Sequence, residues 1–214
     1  MKVINFKNHP KRNFFAPEWN YFIAEKLIKD IDFNKFTAFL LHKRTEILNL
    51  PEDDNTKAAH TGLVNSTTSR WRKYNVLNWD DVNINLFKNN IIIAHNEFLQ
   101  ILKLTIPNEI YIQCWLNVMN KGEKINTHIH SFHENTYLGG HLCVQVKNTC
   151  THYMTSINQI NNPELYSSEN EVGKLTLFNN CIPHFTDIHN DEKERITIAF
   201  DLSLEKADNY IRLI

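Results

Sequence analysis

The spacing of hydrophobic and polar positions changes character near residue 109. Upstream, apolar residues recur at helical spacing. Tyr21, Phe22, Ala24, Leu27, Ile28 and Ile31 do so in a segment that opens at Pro17 and Glu18, two residue types suited to a helix start. A second helix is predicted over Lys35–Leu48, stopping before Pro51. A long one follows from about Asp81 to Lys103, with Leu86, Phe87, Ile91, Ala94, Phe98, Leu99 and Leu102 as its inner face. The stretch Glu52–Thr68 is polar and rich in Thr and Asn, and reads as a loop. From Glu109 onward the period shortens to two, which predicts strands over 110–119, 124–130, 139–147, 151–157, 173–179 and 195–203. Helices first and strands afterwards argue for an α+β fold in which the helices brace one sheet.

Composition changes this picture little. The 214 residues suffice for one domain with a buried core, and 42% hydrophobic with 22% charged residues is ordinary for a globular protein. A formal net charge of −1 gives no steering toward nucleic acid or anionic lipid. The basic residues Lys2, Lys7, Lys11 and Arg12 read as a solvated face. Met1–Pro10 lacks the apolar core of a secretory signal, and runs such as Ile91–Ala94 are far too short to span a membrane. Cys114, Cys143, Cys150 and Cys181 form no CxxC pair and read as reduced thiols, so a cytoplasmic location is expected, with no nucleic-acid or membrane partner.

The candidate chemistry lies in the strand-rich half. In an extended segment residues i and i+2 share a face, so His128 and His130 project together. Three side chains on one triangular face hold a transition metal and leave its other positions open. His184 is the natural third ligand, since it follows the strand-like run Gly173–Phe178 and a turn closed by Ile182-Pro183. On the last strand Arg195 and Thr197 share a face, and a guanidinium with a neighbouring hydroxyl matches a carboxylate. Any one of the eleven histidines is most simply a surface residue, and a lone strand arginine is most simply solvated. The order of the set separates it from these readings. Trp115 and Asn117 alternate on an earlier strand: the tryptophan reads equally as core or pocket wall, the amide as a partner for co-substrate or substrate. Arg70 and Arg72, in the loop region 52–75, read either as grips for a substrate carboxylate or as exposed salt-bridge residues.

Several motifs carry a family resemblance. They are Trp115-Leu116-Asn117 with Gly122, Leu138-Gly139-Gly140, Gly173–Phe178, Pro183-His184 and Glu194–Phe200, with weaker matches at Thr68–Arg70 and Tyr74–Leu77. The stretch Trp115–Leu202 resembles the catalytic core of the 2-oxoglutarate/Fe(II)-dependent dioxygenase superfamily, in particular its compact bacterial and phage members. The resemblance covers roughly the last hundred residues. It implies a double-stranded β-helix, jelly-roll or cupin-like, over 109–204, with a mainly helical part at 1–108 and a tail at 205–214. It further implies Fe(II) held by His128, His130 and His184, and 2-oxoglutarate held by Arg195 with support from Thr197. The activity implied is hydroxylation by O2 of a small molecule, an amino acid or a peptidyl side chain, with oxidative decarboxylation of 2-oxoglutarate to succinate.

One residue departs from the family pattern. A carboxylate usually follows two residues after the first histidine, and this chain has His130 there. Three ligand sets stay open: the three histidines; a set completed by Glu134 or Asp187; and a set in which His130 or His133 is the proximal ligand. Two other functions also stay open, a three-histidine cupin-type dioxygenase that does not use 2-oxoglutarate and a non-catalytic barrel with a degenerate site. The sequence does not fix the oligomeric state.

Overall fold

The computed structural model describes residues 1–7, 20–53, 61–130, 134–155 and 164–214. Among these residues ten strands and two α-helices follow in the order β1 (Lys2–Lys7), β2 (Asn20–Leu27), α1 (Phe33–Leu48), α2 (Val82–Ile101), β3 (Tyr111–Met119), β4 (Thr136–Gln145), β5 (Cys150–Thr155), β6 (Glu164–Glu169), β7 (Lys174–Asn179), β8 (His184–Thr186), β9 (Arg195–Ser203) and β10 (Ile211–Arg212). Two 3₁₀ turns, Thr68–Lys73 and Val76–Asn78, lie between the helices. Seven strands form one antiparallel sheet in the order β1-β2-β7-β4-β9-β3-β10, and three form a second in the order β6-β5-β8. This is the two-sheet architecture of a double-stranded β-helix.

Period-two alternation divides the large sheet into two chemically different faces. Leu116 and Val118 of β3, Leu142 and Val144 of β4, Leu175 and Leu177 of β7, and Ile196, Ile198, Phe200 and Leu202 of β9 form one core with Phe36 and Leu40 of α1 and Phe87, Ile91 and Phe98 of α2. The opposite face faces the small sheet. There Ile23 and Phe178 pack with Tyr153 of β5, and the Tyr153 and Phe178 rings lie 5.3 Å apart. The helices begin where acidic caps stand: Asp32 accepts from the Lys35 amide at 3.1 Å and Asp81 from that of Asn83 at 2.7 Å, satisfying donors that the first turn leaves open.

Beyond its short pairing with β10, strand β3 would present a bare edge. The segment 67–75 covers it. The Tyr74 hydroxyl accepts from the Leu116 amide at 2.9 Å and lies 3.2 Å from its carbonyl, while Gln113 Nε2 donates to the carbonyls of Trp71 and Tyr74 at 2.7 and 2.9 Å. Trp71 is thereby fixed beside Trp115, with ring centroids 5.4 Å apart.

Three segments differ from the sequence expectation. Residues 20–27 form β2 rather than a helix: Ile23 points into the sheet interior and Ala24 toward the helices, and a run buried on both faces has no periodicity that separates strand from helix. Its N-terminal extension at Pro17, like Lys11 and Arg12, lies outside the described residues. The segment 124–130 is extended but carries only an isolated bridge between His128 and His184. Residues 164–169, which lie between two of the expected strands, form β6, paired antiparallel with β5. No described helix is long and apolar enough to cross a membrane.

Candidate metal centre and carboxylate pocket

Between the two sheets lies a cavity of ≈660 Å³ including its open mouth. Its walls come from β3 (Trp115, Asn117), β4 (Gly140, His141), β5 (Thr151), β8 (His184, Thr186), β9 (Arg195, Thr197, Ala199, Asp201), the 125–130 segment and the loop bearing Thr61, Thr68 and Trp71.

His128, His130 and His184 converge on it, each offering a nitrogen within 4.8 Å of the other two. The backbone sets this meeting. His128 and His184 exchange both main-chain hydrogen bonds at 3.0 Å, and the His130 amide donates to the Asn180 carbonyl at 2.9 Å. The second nitrogen of each ring is also fixed. Nδ1 lies 2.9 Å from the Asn126 carbonyl in His128, 3.0 Å from the Ile182 carbonyl in His184 and 2.7 Å from Asp201 Oδ1 in His130. A carbonyl or an ionised carboxylate can only accept, so in the neutral form of each ring Nδ1 carries the proton and Nε2 the lone pair. Burial and the two neighbouring imidazoles hold His184 well below the ordinary histidine range, so it stays neutral at pH 7, as a metal ligand must.

Neither carboxylate considered for the triad belongs to this group. Glu134 is exposed. Asp187 accepts from the Cys150 amide at 2.6 Å and from His152 Nε2 at 2.8 Å. His133 lies outside the described residues.

Arg195 is 2% exposed. Among the described residues its Nε makes no hydrogen bond, and Nη1 lies 3.6 Å from the Met119 sulfur. Burial lowers its pKa, and the opposing field of Cys143, Tyr153 and Asp187 does not offset it. A buried unpaired charge costs several kcal/mol, so such a site fits an absent anion. Thr197 is on the same inward face two residues along β9 and lines the cavity beside Thr151. His141, two positions from Gly139 on β4, is pushed down to about 3, first by burial and then by Arg195 and His130. It is a neutral imidazole in the cavity wall.

On the other side, Trp115 packs against Trp71 and against His130, with ring centroids 5.4 Å apart in both cases. Asn117 is 5% exposed, and its Oδ1 accepts from the Thr68 hydroxyl at 2.6 Å. Arg70 does not reach the cavity. It is buried, and its guanidinium donates to the carbonyls of Leu50 and Ser66 and to the side chains of Ser69 and Asn65 at 2.6–3.2 Å, so it locks the loop instead of gripping a ligand. Arg72 stacks on Trp71 at 5.0 Å and does not itself line the cavity.

The residue that sequence reasoning missed is Asp201. Strand alternation placed it on the face of Arg195 and Thr197, but only the fold brings it against His130.

Comparison with known proteins agrees with this fold. Solved structures of similar fold include a prolyl-4-hydroxylase from Pseudomonas putida (TM-score 0.57, 10% identity, 86% of this chain and 88% of that one). Others are an oxidoreductase of the 2OG-Fe(II) oxygenase family from Burkholderia pseudomallei (0.51, 14%, 86% and 87%) and SnoN, a non-heme alpha ketoglutarate dependent epimerase from nogalamycin biosynthesis (0.54, 10%, 90% and 93%). At these identities the likeness is one of fold. No curated protein matches at a significant level. The family described as "Putative 2OG-Fe(II) oxygenase", whose members use Fe(II) and 2-oxoglutarate, matches residues 113–201, the span holding the three histidines, Arg195, Thr197 and Asp201, so the resemblance to the 2-oxoglutarate/Fe(II)-dependent dioxygenase superfamily holds over that span.

Proposed function

We propose that this protein is an Fe(II)- and 2-oxoglutarate-dependent oxygenase that hydroxylates a small molecule, an amino acid or a peptidyl side chain. His128, His130 and His184 would hold the metal through Nε2. Arg195, supported by Thr197, would take the distal carboxylate of 2-oxoglutarate. The observation that carries the reading is the buried Arg195 guanidinium, whose Nε has no hydrogen-bond partner among the described residues. Iron and 2-oxoglutarate together supply the oxygen activation, with succinate and carbon dioxide as by-products.

The chain's own residues bind, orient and exclude water. The Arg195 fork fixes the orientation of a dicarboxylate, which places its other end toward the histidines. Trp71, Trp115, Ile125 and Ile129 give the substrate side an apolar wall, and Asn117 adds a polar contact. That lining suits an uncharged substrate group. The four cysteines are free, in keeping with a reducing, cytoplasmic setting.

A second reading is a three-histidine dioxygenase that binds its substrate directly to iron. The ligand set favours it, and Arg195 weighs against it, since direct ligation needs no buried carboxylate clamp. Purified protein with Fe(II), O2 and 2-oxoglutarate is expected to form succinate, slowly without substrate and faster with the right one. No succinate, together with no thermal shift on adding Mn(II) and 2-oxoglutarate, would overturn the proposal. SnoN is named an epimerase, so product identification is needed to establish hydroxylation.

A further inference from the structure

His130 occupies a position where a carboxylate was expected, and a carboxylate stands directly behind it. Asp201 Oδ1 lies 2.7 Å from His130 Nδ1, with the two side chains 1% and 4% exposed. The arrangement is built by three strands. Asp201 is the last inward residue of the row Arg195, Thr197, Ala199, Asp201, and it sits in register with Gln113 of β3 and Gly139 of β4. Gly139 leaves room for the ring: a Cβ there would stand 2.8 Å from His130 Nδ1. Trp115 at 5.4 Å and Phe178 at 5.2 Å hold the imidazole from its sides. The ring has little freedom to turn, and its outer nitrogen is committed to Asp201.

We infer that Asp201 is the positioning residue of the metal centre, supplying from behind His130 the negative charge that the ligand itself lacks. The inference rests on the three-histidine reading proposed above. Three neutral imidazoles leave the charge of a divalent ion uncompensated within the ligand set. A carboxylate accepting the Nδ1 proton fixes the tautomer, aims Nε2 and makes that nitrogen a stronger donor. His128 and His184 give their Nδ1 protons to neutral carbonyls, whereas that of His130 goes to the Asp201 carboxylate. His130 and Asp201 then work as one unit that replaces a single ligating carboxylate. The competing arrangement makes Asp201 a ligand in its own right, with His130 merely packed beside it.

Anaerobic Co(II) titration followed by the visible ligand-field spectrum tests this without 2-oxoglutarate or turnover. Asp201→Asn is expected to weaken Co(II) binding by about 10–100-fold, the usual effect of losing such a partner. His130→Ala should weaken it at least as much, and the double variant should bind no more weakly than His130→Ala, because Asp201 acts only through the imidazole. A charge relocation adds an independent arm. His130→Asp sets two buried carboxylates against each other and should bind poorly, while His130→Asp with Asp201→Asn should recover at least about tenfold, since an amide donor then faces the new ligand. Thermal unfolding of the metal-free variants checks the fold, and if Asp201→Asn alone does not fold, the relocation pair decides. Unchanged affinity in Asp201→Asn, losses that multiply in the double variant, no recovery in the relocation pair, or retained binding in His130→Ala with loss in Asp201→Asn each overturn the inference. A wild type that takes up no Co(II) overturns the three-histidine reading with it. A wild type that binds and is weakened by His130→Ala but not by Asp201→Asn leaves that reading standing.

Discussion

Replacing Arg195 by methionine separates what this side chain costs the empty protein from what it gives a ligand. The guanidinium is 2% exposed and its Nε has no hydrogen-bond partner among the described residues, so in the metal-free protein the burial of its charge outweighs the field of Asp187. Methionine fills a similar volume without charge, and exchanging buried ionic groups for apolar ones of like volume is commonly neutral or stabilising by about 1–4 kcal/mol. For a domain of this size each kcal/mol moves Tm by about 2–4 °C. Arg195→Met should therefore raise the Tm of the ligand-free protein by roughly 5 °C. The wild type, with Mn(II) present, should gain about 2.7 kcal/mol from 2-oxoglutarate at a hundred times its Kd, and hence several degrees. The variant should keep the increment from Mn(II) and lose the increment from 2-oxoglutarate. The assay is thermal unfolding with and without each component. A variant that melts well below wild type, or that retains the full 2-oxoglutarate increment, refutes the carboxylate-clamp reasoning. Arg195→Lys is the control for geometry: it keeps the charge without the fork and should keep only part of the increment.

Three further outcomes follow from the same interior. His141 is held at about 3 in the folded protein against 6.5 as its ordinary value, so the unfolded chain takes up the extra proton; its contribution to stability is complete above pH 6.5 and is lost as pH falls toward 3. His141→Gln should make urea midpoints between pH 6 and 4 less pH-dependent, by about 1.4 kcal/mol per pH unit, and an unchanged slope would contradict the burial argument. Gly139→Ala places a methyl 2.8 Å from both His130 Nδ1 and Phe178 and should weaken metal binding, whereas at Gly140 it meets Phe200 at 2.3 Å and the Thr176 carbonyl at 2.7 Å and should chiefly lower Tm; equal effects on both readouts would refute the distinction. Tyr74→Phe strands the Leu116 amide on the β3 edge, which should cost about 1–3 kcal/mol in chemical denaturation and loosen Trp71, read as a change in tryptophan fluorescence.

What the sequence made legible was whatever a single strand or helix encodes in its own spacing. Strand β9 spans 195–203 as its alternation predicts, because one face meets α1 and α2 and the other meets the cavity. Helices α1 and α2 end close to their predicted bounds, since the apolar stripe and the residues that stop it are local. Strand β2 was hidden because Ile23 and Ala24 are buried on opposite sides, and β6 because Glu-Leu-Tyr-Ser-Ser-Glu carries little apolar pattern and is held by pairing with β5. Arg70 was misplaced for a similar reason: its partners, Leu50, Ser66, Ser69 and Asn65, meet only when the loop closes. The candidate site combines both cases. The inward row Arg195, Thr197, Ala199, Asp201 is readable from alternation alone, and so is the shared face of His128 and His130. Their relation is not, because 71 residues separate His130 from Asp201 and three strands of one sheet are needed to bring them together. A reading confined to the neighbourhood of the first histidine finds an imidazole where a carboxylate is expected and counts a missing charge. In the folded chain that charge lies on β9, one hydrogen bond behind the ligand.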